Sequence, residues 1–144
     1  MSKEQLYIFD TTLRDGAQTQ GVDFSIDDKK KISSALDMLG VDYVEGGWPG
    51  ANPTDTEFFN KDHNFKSAKL TAFGMTKKSE HSAENDPMLS SLINSKSSAV
   101  CLFGKSWDFQ VKVALGITNE QNLTNISEST KHIVKSGKEF IRYK

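Results

Sequence analysis

Short apolar runs alternate with longer segments of helical spacing along this chain. Such runs, bounded by polar or turn-forming residues, predict buried strands. They lie at Leu6–Phe9, Val41–Glu45, Leu70–Met75, Ala99–Phe103 and Phe140–Tyr143. The predicted strands begin roughly every 30–40 residues, and each of the first four precedes a helical segment. This rhythm is typical of βα units on a parallel sheet.

The predicted helices fill the intervals between these strands. Apolar residues at i, i+3, i+4 and i+7 from Ile32 to Leu39 predict the first helix, with Ser25 near its start and Gly40 ending it. The other helices are predicted at Thr54–Asp62, Pro87–Ser95, Trp107–Leu115 and Glu120–Ser136. We therefore expect four βα units and the start of a fifth strand.

Two architectures share this rhythm, the doubly wound sheet and the (β/α)8 barrel. A chain of 144 residues suits one domain. A complete barrel typically needs about 250 residues, so length by itself favours the doubly wound sheet. The motifs described below reverse that preference.

Composition excludes several classes of function. A formal net charge of −1 gives no electrostatic case for binding nucleic acid or an anionic membrane. No run approaches the ~18 apolar residues of a membrane span, and Met1–Gln5 lacks the apolar part of a signal peptide. The single cysteine, Cys101, lies in an apolar run and is expected to be a buried thiol in a reducing cytoplasm. The basic run Lys29–Lys31 is expected on a solvated helix face.

The segment Asp10–Gln18 carries the first candidate chemistry, because it follows the first predicted strand. Polar groups at the carboxyl ends of parallel strands are where α/β enzymes place catalytic residues. Arg14 offers a guanidinium for a carboxylate or a developing oxyanion, and Asp15 offers a hard oxygen ligand for a divalent cation. An Arg–Asp pair also suits an ordinary salt-bridged loop.

Glu45 ends the second predicted strand and is the second candidate. Side chains alternate along a strand, so Glu45 shares a face with Val41 and Tyr43. A carboxylate there lies near the neighbouring first strand, where it can pair with Arg14 and hold its orientation. The alternative is a strand-end carboxylate that faces water.

The motif Asp-Thr-Thr-Leu-Arg-Asp-Gly-x-Gln at Asp10–Gln18, with Lys29 eleven residues later, resembles the first signature of the α-isopropylmalate and homocitrate synthases. That family also includes citramalate synthases and hydroxymethylglutaryl-CoA lyases, which are metal-dependent TIM barrels. Its characteristic trio of Asp, Arg and Glu is matched by Asp15, Arg14 and Glu45. The later stretches Glu45–Pro53 and Phe103–Asp108 look most like the citramalate synthase branch.

The resemblance implies a (β/α)8 TIM barrel, of which residues 1–144 form the N-terminal half of one catalytic domain. Arg14 would contact the keto or enolate oxygen of the substrate, and Asp15 would ligate a divalent metal, Mg, Mn or Zn. Glu45 would support Arg14 or the metal site. Gln18 would help to bind substrate, with Asp108 a weaker candidate neighbour.

The reaction implied is an acyl transfer, a Claisen condensation of acetyl-CoA with an α-keto acid. Pyruvate is the expected keto acid, giving (R)-citramalate for isoleucine biosynthesis, and Trp48 is expected to restrict the pocket. The alternatives are isopropylmalate or homocitrate synthesis, or the reverse lyase reaction. The full-length protein is expected to be a cytoplasmic homodimer that binds small molecules and neither nucleic acid nor membrane.

The family's His-x-His metal motif lies beyond residue 144, and the sequence contains none. His63, His81 and His132 are isolated in polar segments and are expected on the surface. We therefore expect the 144-residue chain by itself to lack synthase activity and to bind metal weakly. A truncated half-barrel without catalytic activity is the alternative from another class. The reading frame after codon 144 would distinguish a longer coding sequence from a decayed gene.

Overall fold

Five parallel strands form one sheet in the computed structural model, which describes residues 4–142. They are β1 Phe9–Asp10, β2 Tyr43–Gly47, β3 Lys69–Met75, β4 Ala99–Phe103 and β5 Glu139–Arg142. Each strand pairs in parallel with the next one along the chain. A doubly wound sheet reverses its strand order at a switch point, whereas a barrel keeps the order of the chain. The structure is a curled partial TIM barrel, which confirms the predicted fold over the doubly wound alternative.

Helices connect the strands as the spacing predicts. They are α1 Ile26–Leu39, α2 Pro53–Asn60, α3 Pro87–Asn94, α4 Asp108–Gln110 and α5 Asn119–Lys135. Short 3₁₀ turns lie at Gly16–Gln18 and Ala83–Asn85, and a π-helical segment, Val111–Leu115, continues α4. The start of α1 is a capping box in which Ser25 and Asp28 each bond the other's backbone N–H. No helix within residues 4–142 is long and apolar enough to cross a membrane.

Alternation along the strands divides the side chains between two faces of the sheet. One face packs against the helices and supplies the apolar core, through Val44, Leu70, Ala72, Val100 and Leu102. The intervening residues point to the other face, which is the barrel interior. At the level of the candidate site these inward residues are Glu45, Thr71, Phe73 and Cys101, all of them buried.

The first strand is shorter than predicted. Leu6, Tyr7 and Ile8 are 87, 59 and 60% exposed, and only Phe9 and Asp10 pair regularly with β2. The carbonyl oxygen of Ile8 accepts the N–H groups of both Asp42 and Tyr43, which interrupts a regular ladder. The apolar run Leu6–Phe9 therefore marks the position of the strand, while its pairing sets the length.

A β-bulge ends β2 next to the candidate Glu45. Glu45 pairs with Thr71 and Gly47 pairs with Ala72, so Gly46 is the extra residue. A Cβ on Gly46 would lie 2.7 Å from the Phe58 ring. Gly47 has a φ of 139°, and a Cβ there would lie 2.5 Å from the Asp55 carboxylate. Both glycines are required by the close approach of α2.

Two expectations about polar residues are wrong. His63 is half-buried rather than on the surface, since its ring packs 4.5 Å from the Phe58 ring and its Nε2 lies 2.9 Å from the Phe58 carbonyl oxygen. Burial lowers the pKa of His63. Lys29 is 3% exposed and does not lie on a solvated face. The last residue of the predicted fifth strand, Tyr143, lies outside the described residues.

Asp37, near the end of α1, anchors the loop that leads into β3. Its carboxylate accepts backbone N–H groups from Lys66, Ser67 and Ala68 at 2.7, 3.0 and 2.8 Å. These hydrogen bonds, that of Lys66 first, lower the pKa of Asp37. A lowered folded-state pKa adds stability that is present above the unfolded pKa of about 3.9 and is lost as the pH falls through the folded value.

We expect Asp37→Asn to lower the melting temperature at pH 7, with a difference from the parent protein that shrinks below about pH 4. Thermal unfolding between pH 7 and pH 2 measures this difference. The control is Asp27→Asn, the same chemical change at an exposed position of α1. A difference for Asp37→Asn that stays constant over this pH range would contradict the assignment.

Candidate active site

An ion pair between Arg14 and Glu45 joins the loop after β1 to the end of β2. The Nε atom of Arg14 lies 2.7 Å from Oε2 of Glu45, whose side chain is fully buried. Both residues follow or end parallel strands, so their side chains meet at the carboxyl edge of the sheet. The prediction that these two candidates converge at this edge is confirmed.

Asp15, the third member of the trio, contacts the solvent-facing side of the Arg14 guanidinium. The two Nη atoms of Arg14 contact the two carboxylate oxygens of Asp15, at 2.5 Å for Nη1–Oδ1 and 3.1 Å for Nη2–Oδ2. A tight turn makes this possible, because the N–H groups of Arg14, Asp15 and Gly16 all donate to the Thr11 carbonyl oxygen. The Asp15 side chain is 45% exposed, which leaves its carboxylate accessible from the cleft.

The ring of Phe73, from β3, supports the guanidinium. The Cζ atom of Arg14 lies 4.0 Å from the centre of that ring, a cation–π contact that contributes about 0.5–2 kcal/mol. The Trp48 ring packs edge-on against Phe73 with centroids 5.4 Å apart. Arg14 has five N–H donors, of which three bond Glu45 and Asp15 within the described chain. The remaining two have no hydrogen-bond partner within residues 4–142.

Two opposing effects act on the pKa of the Glu45 carboxyl group. Burial raises its pKa, and the hydrogen bond and charge of Arg14 oppose that rise. Its Oε1 is buried with no hydrogen-bond partner among residues 4–142. Cys101, from β4, lies beside this carboxylate, and burial together with the Glu45 charge raises the pKa of Cys101 to about 12. The expectation of a buried Cys101 is confirmed, since its side chain is 0% exposed.

Lys29, on α1, belongs to this region although the sequence pattern placed it in solvent. Its ammonium forms a buried ion pair with Asp55, from the first turn of α2. It also donates to the carbonyl oxygens of Leu13 at 3.2 Å and Gly46 at 2.9 Å. A buried charge is tolerated only when it is paired and hydrogen-bonded, and all three contacts supply that.

Asp55 extends the same network to the loop after β2. Its Oδ2 accepts the backbone N–H of Trp48 at 2.8 Å and the Asn52 side-chain amide at 3.0 Å. Removing one partner of such a buried pair typically costs about 3–5 kcal/mol. The only feature of the sequence that could have indicated a role for Lys29 was its place in the motif, eleven residues after Gln18. Helical periodicity does not distinguish it from the other lysines of the run.

Trp48 and Gln18 lie on one cavity beside Arg14. Its volume is about 360 Å³, and its wall includes Leu13, Arg14, Gln18, Phe24, Trp48 and Asp55. The Trp48 Nε1–H points to the sulfur of Met88 at 2.7 Å, so the indole is fixed on two sides. Gln18 is exposed on the opposite loop, and its role in binding substrate stays a prediction.

The residues for a divalent cation are present only in part. Asp15 offers hard, accessible oxygens, which fit magnesium or manganese. A catalytic site ordinarily needs about three protein ligands, and residues 4–142 contain no cluster of three or more His, Cys, Asp or Glu side chains that would hold a metal. Asp108 is exposed at the start of α4 and accepts the N–H of Phe109, so nothing ties it to the trio.

Comparison with known proteins gives one family and two groups of relatives. The HMGL-like family profile matches residues 5–143. The chain is 49% identical over 140 residues to the (R)-citramalate synthase of Aquifex aeolicus, covering 96% of this chain and 26% of that protein. It is 33% identical to 2-isopropylmalate synthase 1 of Caldanaerobacter subterraneus, covering 92% of this chain and 32% of the relative. The chain thus spans about a quarter to a third of these relatives.

Solved structures share the fold at low sequence identity. The HMG-CoA lyase of Bacillus subtilis superposes with a TM-score of 0.75 at 15% identity, covering 98% of this chain and 46% of that structure. The HMG-CoA lyase of Pseudomonas aeruginosa gives a TM-score of 0.72 at 15% identity, with 96% and 45% covered. These likenesses concern the fold alone.

We expect the Cys101 thiol to resist alkylation by iodoacetamide in the folded protein at pH 8, because it is buried and its pKa is raised. In 8 M urea the same thiol should react at the rate of an ordinary cysteine. Mass spectrometry of the peptide that contains Cys101 measures both rates. Equal rates in the two conditions would mean that the thiol is open to solvent beside Glu45.

Proposed function

The chain belongs to the HMGL-like family, and we propose that it forms the N-terminal half of the catalytic barrel of an enzyme that condenses acetyl-CoA with an α-keto acid. The observation that carries this proposal is the Arg14 guanidinium, clamped by Glu45 and Asp15 above the Phe73 ring with two N–H groups left over. Similarity to (R)-citramalate synthases supports pyruvate as the keto acid and citramalate as the product.

The Arg14 side chain is proposed to bind the oxygen that gains negative charge. When a general base takes a proton from the acetyl methyl group and that carbon attacks the keto carbon, the keto oxygen becomes an alkoxide, which a proton then converts to the product hydroxyl. A guanidinium that is already oriented stabilises this charge without reorganising during the reaction. Hydrolysis of the thioester by water then releases CoA and the free carboxylate.

Glu45 is proposed to hold the plane of that guanidinium. Its carboxylate is buried and contacts Nε, whereas Asp15 contacts the two Nη atoms. Loss of this partner would leave the guanidinium held by the half-exposed Asp15 and the Phe73 ring, and so freer to rotate over that ring. In a reaction governed by orientation, such freedom lowers the rate more than the affinity.

Asp15 is proposed to be this chain's ligand for a divalent cation. When bound there, such a cation would supply Lewis-acid polarisation of the keto carbonyl. Asp15 and Arg14 are adjacent and hydrogen-bonded, so a cation on Asp15 and the Arg14 guanidinium would both lie near the keto oxygen of the substrate. The further ligands, the identity of the metal, the proposed homodimer and the cytoplasmic location remain predictions about the full-length protein.

Trp48 is proposed to favour pyruvate over bulkier keto acids. Its indole forms part of the cavity wall beside Arg14 and is fixed by Phe73 and Met88, so it cannot easily withdraw. Similarity to 2-isopropylmalate synthases at 29–33% identity makes 2-oxoisovalerate the alternative keto acid. The two candidates differ only in the bulk of one substituent.

We expect the full-length protein to release CoA from acetyl-CoA and pyruvate when magnesium or manganese is added. Arg14→Lys should lower kcat by about 10²–10³-fold, because a point charge replaces the oriented fork. Asp15→Asn should raise the metal concentration that gives half-maximal activity. Full activity of either variant would contradict the roles assigned, and an inactive parent protein would contradict the proposed reaction.

We expect kcat/KM for pyruvate to exceed that for 2-oxoisovalerate in the full-length protein. A hydrophobic pocket distinguishes such substituents by about 10–200-fold, and Trp48→Ala should reduce the preference within that range. Steady-state kinetics with both keto acids at saturating acetyl-CoA measures the ratio. Trp107→Ala, at the other tryptophan, is the matched control because that side chain is 58% exposed. Higher efficiency with 2-oxoisovalerate in the parent protein would favour the isopropylmalate reaction.

A further inference from the structure

The proposed reaction gives no step to Lys29, yet this side chain touches both sides of the site. Its ammonium donates to the carbonyl oxygen of Leu13, which directly precedes Arg14. It also donates to the carbonyl oxygen of Gly46, which directly follows Glu45. One buried cation therefore joins the backbone flanking both members of the Arg14–Glu45 pair.

The sheet itself does not fix the distance between these two segments. β1 and β2 are paired only at Phe9–Tyr43 and Asp10–Val44, so the regular ladder ends four residues before Arg14. Within residues 4–142, the polar links that the structure gives between the Arg14 loop and the end of β2 are the Arg14–Glu45 pair itself and the Lys29 bridge. The bulge at Gly46 turns its carbonyl towards Lys29 on the helix side of β2.

Asp55 neutralises the charge of the buried Lys29 ammonium and links the Trp48 loop to the same ion pair. Its Oδ1 pairs with the ammonium, while its Oδ2 holds the Trp48 backbone N–H at 2.8 Å. The loops carrying Arg14 and Trp48 are thus tied to one ion pair. Both of these side chains border the same cavity.

We infer that Lys29, balanced by Asp55, is a positioning residue that sets the geometry of the Arg14–Glu45 pair and of the Trp48 loop. Its effect on catalysis rests on the proposed function, whereas its effect on the Arg14–Glu45 distance does not. Any pair of carbonyl groups would satisfy a buried ammonium, whereas the two that Lys29 bonds belong to the residues next to Arg14 and Glu45.

Lys29→Arg is the informative variant, because it keeps the positive charge opposite Asp55. A planar guanidinium is larger than an ammonium and cannot donate to Leu13, Gly46 and Asp55 from one point. We expect the variant of the full-length protein to fold and the Arg14 Nε–Glu45 Oε2 distance to exceed 3.5 Å in its crystal structure. We expect kcat with pyruvate to fall about 10–100-fold, since misplacement on the ångström scale costs that much.

Lys138→Arg is the matched control. The Lys138 ammonium also joins two backbone carbonyls, of Ser95 at 2.7 Å and Ser97 at 2.5 Å, and is half-buried. Those residues precede β4, at the end of the sheet opposite to the site. This variant should retain the kcat of the parent protein and an Arg14–Glu45 distance near 2.7 Å.

Lys29→Met/Asp55→Asn is the second variant and keeps the test decisive if Lys29→Arg does not fold. It removes both charges together, so neither is left buried alone, and it also removes the bridge between the carbonyls. The same rise in distance and fall in kcat are expected. Rates are referred to the folded fraction, measured by circular dichroism.

The outcomes separate the inference from the proposed function. An unchanged Arg14–Glu45 distance, or a kcat within twofold of the parent protein, in a folded Lys29 variant overturns the positioning role and leaves the proposed reaction intact. Failure of both variants to fold assigns the pair to stability alone and also overturns it. An inactive parent protein refutes the proposed reaction, while the crystal structures still decide the positioning role.

Discussion

The burial of the Lys29 ammonium is the constraint on which this end of the molecule depends. Moving an ion into a protein interior costs several kcal/mol unless a counter-charge and hydrogen bonds replace the lost water. Here Asp55 and the carbonyl oxygens of Leu13 and Gly46 do so. Four segments must therefore meet at one point: the loop after β1, helix α1, the bulge of β2 and the start of α2. The double glycine at Gly46 and Gly47 is the local consequence, because side chains there would strike α2 and Asp55.

Two ion pairs lie on opposite faces of β2, one residue apart. Glu45 points into the barrel and holds Arg14, whereas the carbonyl of Gly46 points towards the helices and meets Lys29. The inner pair faces the cleft, and Asp15, which completes it, is half exposed. The outer pair is largely buried, with side-chain exposures of 4% and 11%. This separation suits different tasks, since an exposed carboxylate can exchange ligands while a buried pair keeps a fixed geometry.

Much of the fold and part of the site followed from local sequence patterns. The apolar runs located the five strands, and Ser25 and Gly40 located the ends of α1, because capping and periodicity depend on neighbours in the chain. The trio of Arg14, Asp15 and Glu45 was recognised from the Asp10–Gln18 motif and from its place after two strands. What the pattern could not give was the length of β1 or the burial of His63, since both depend on partners distant in the chain.

The sequence by itself determined the order and type of the elements, the family resemblance and the residues that carry the proposed chemistry. Each of these is encoded in spacing or in residue type within a few positions. Only the tertiary structure decided where the pairing of β1 begins, that Gly46 forms a bulge, and that Lys29 is buried against Asp55. A lysine in a charged helical run is predicted to be solvent-exposed, because periodicity carries no information about the Asp55 carboxylate, 26 residues away. The counter-charge that makes its burial favourable is brought to it by folding.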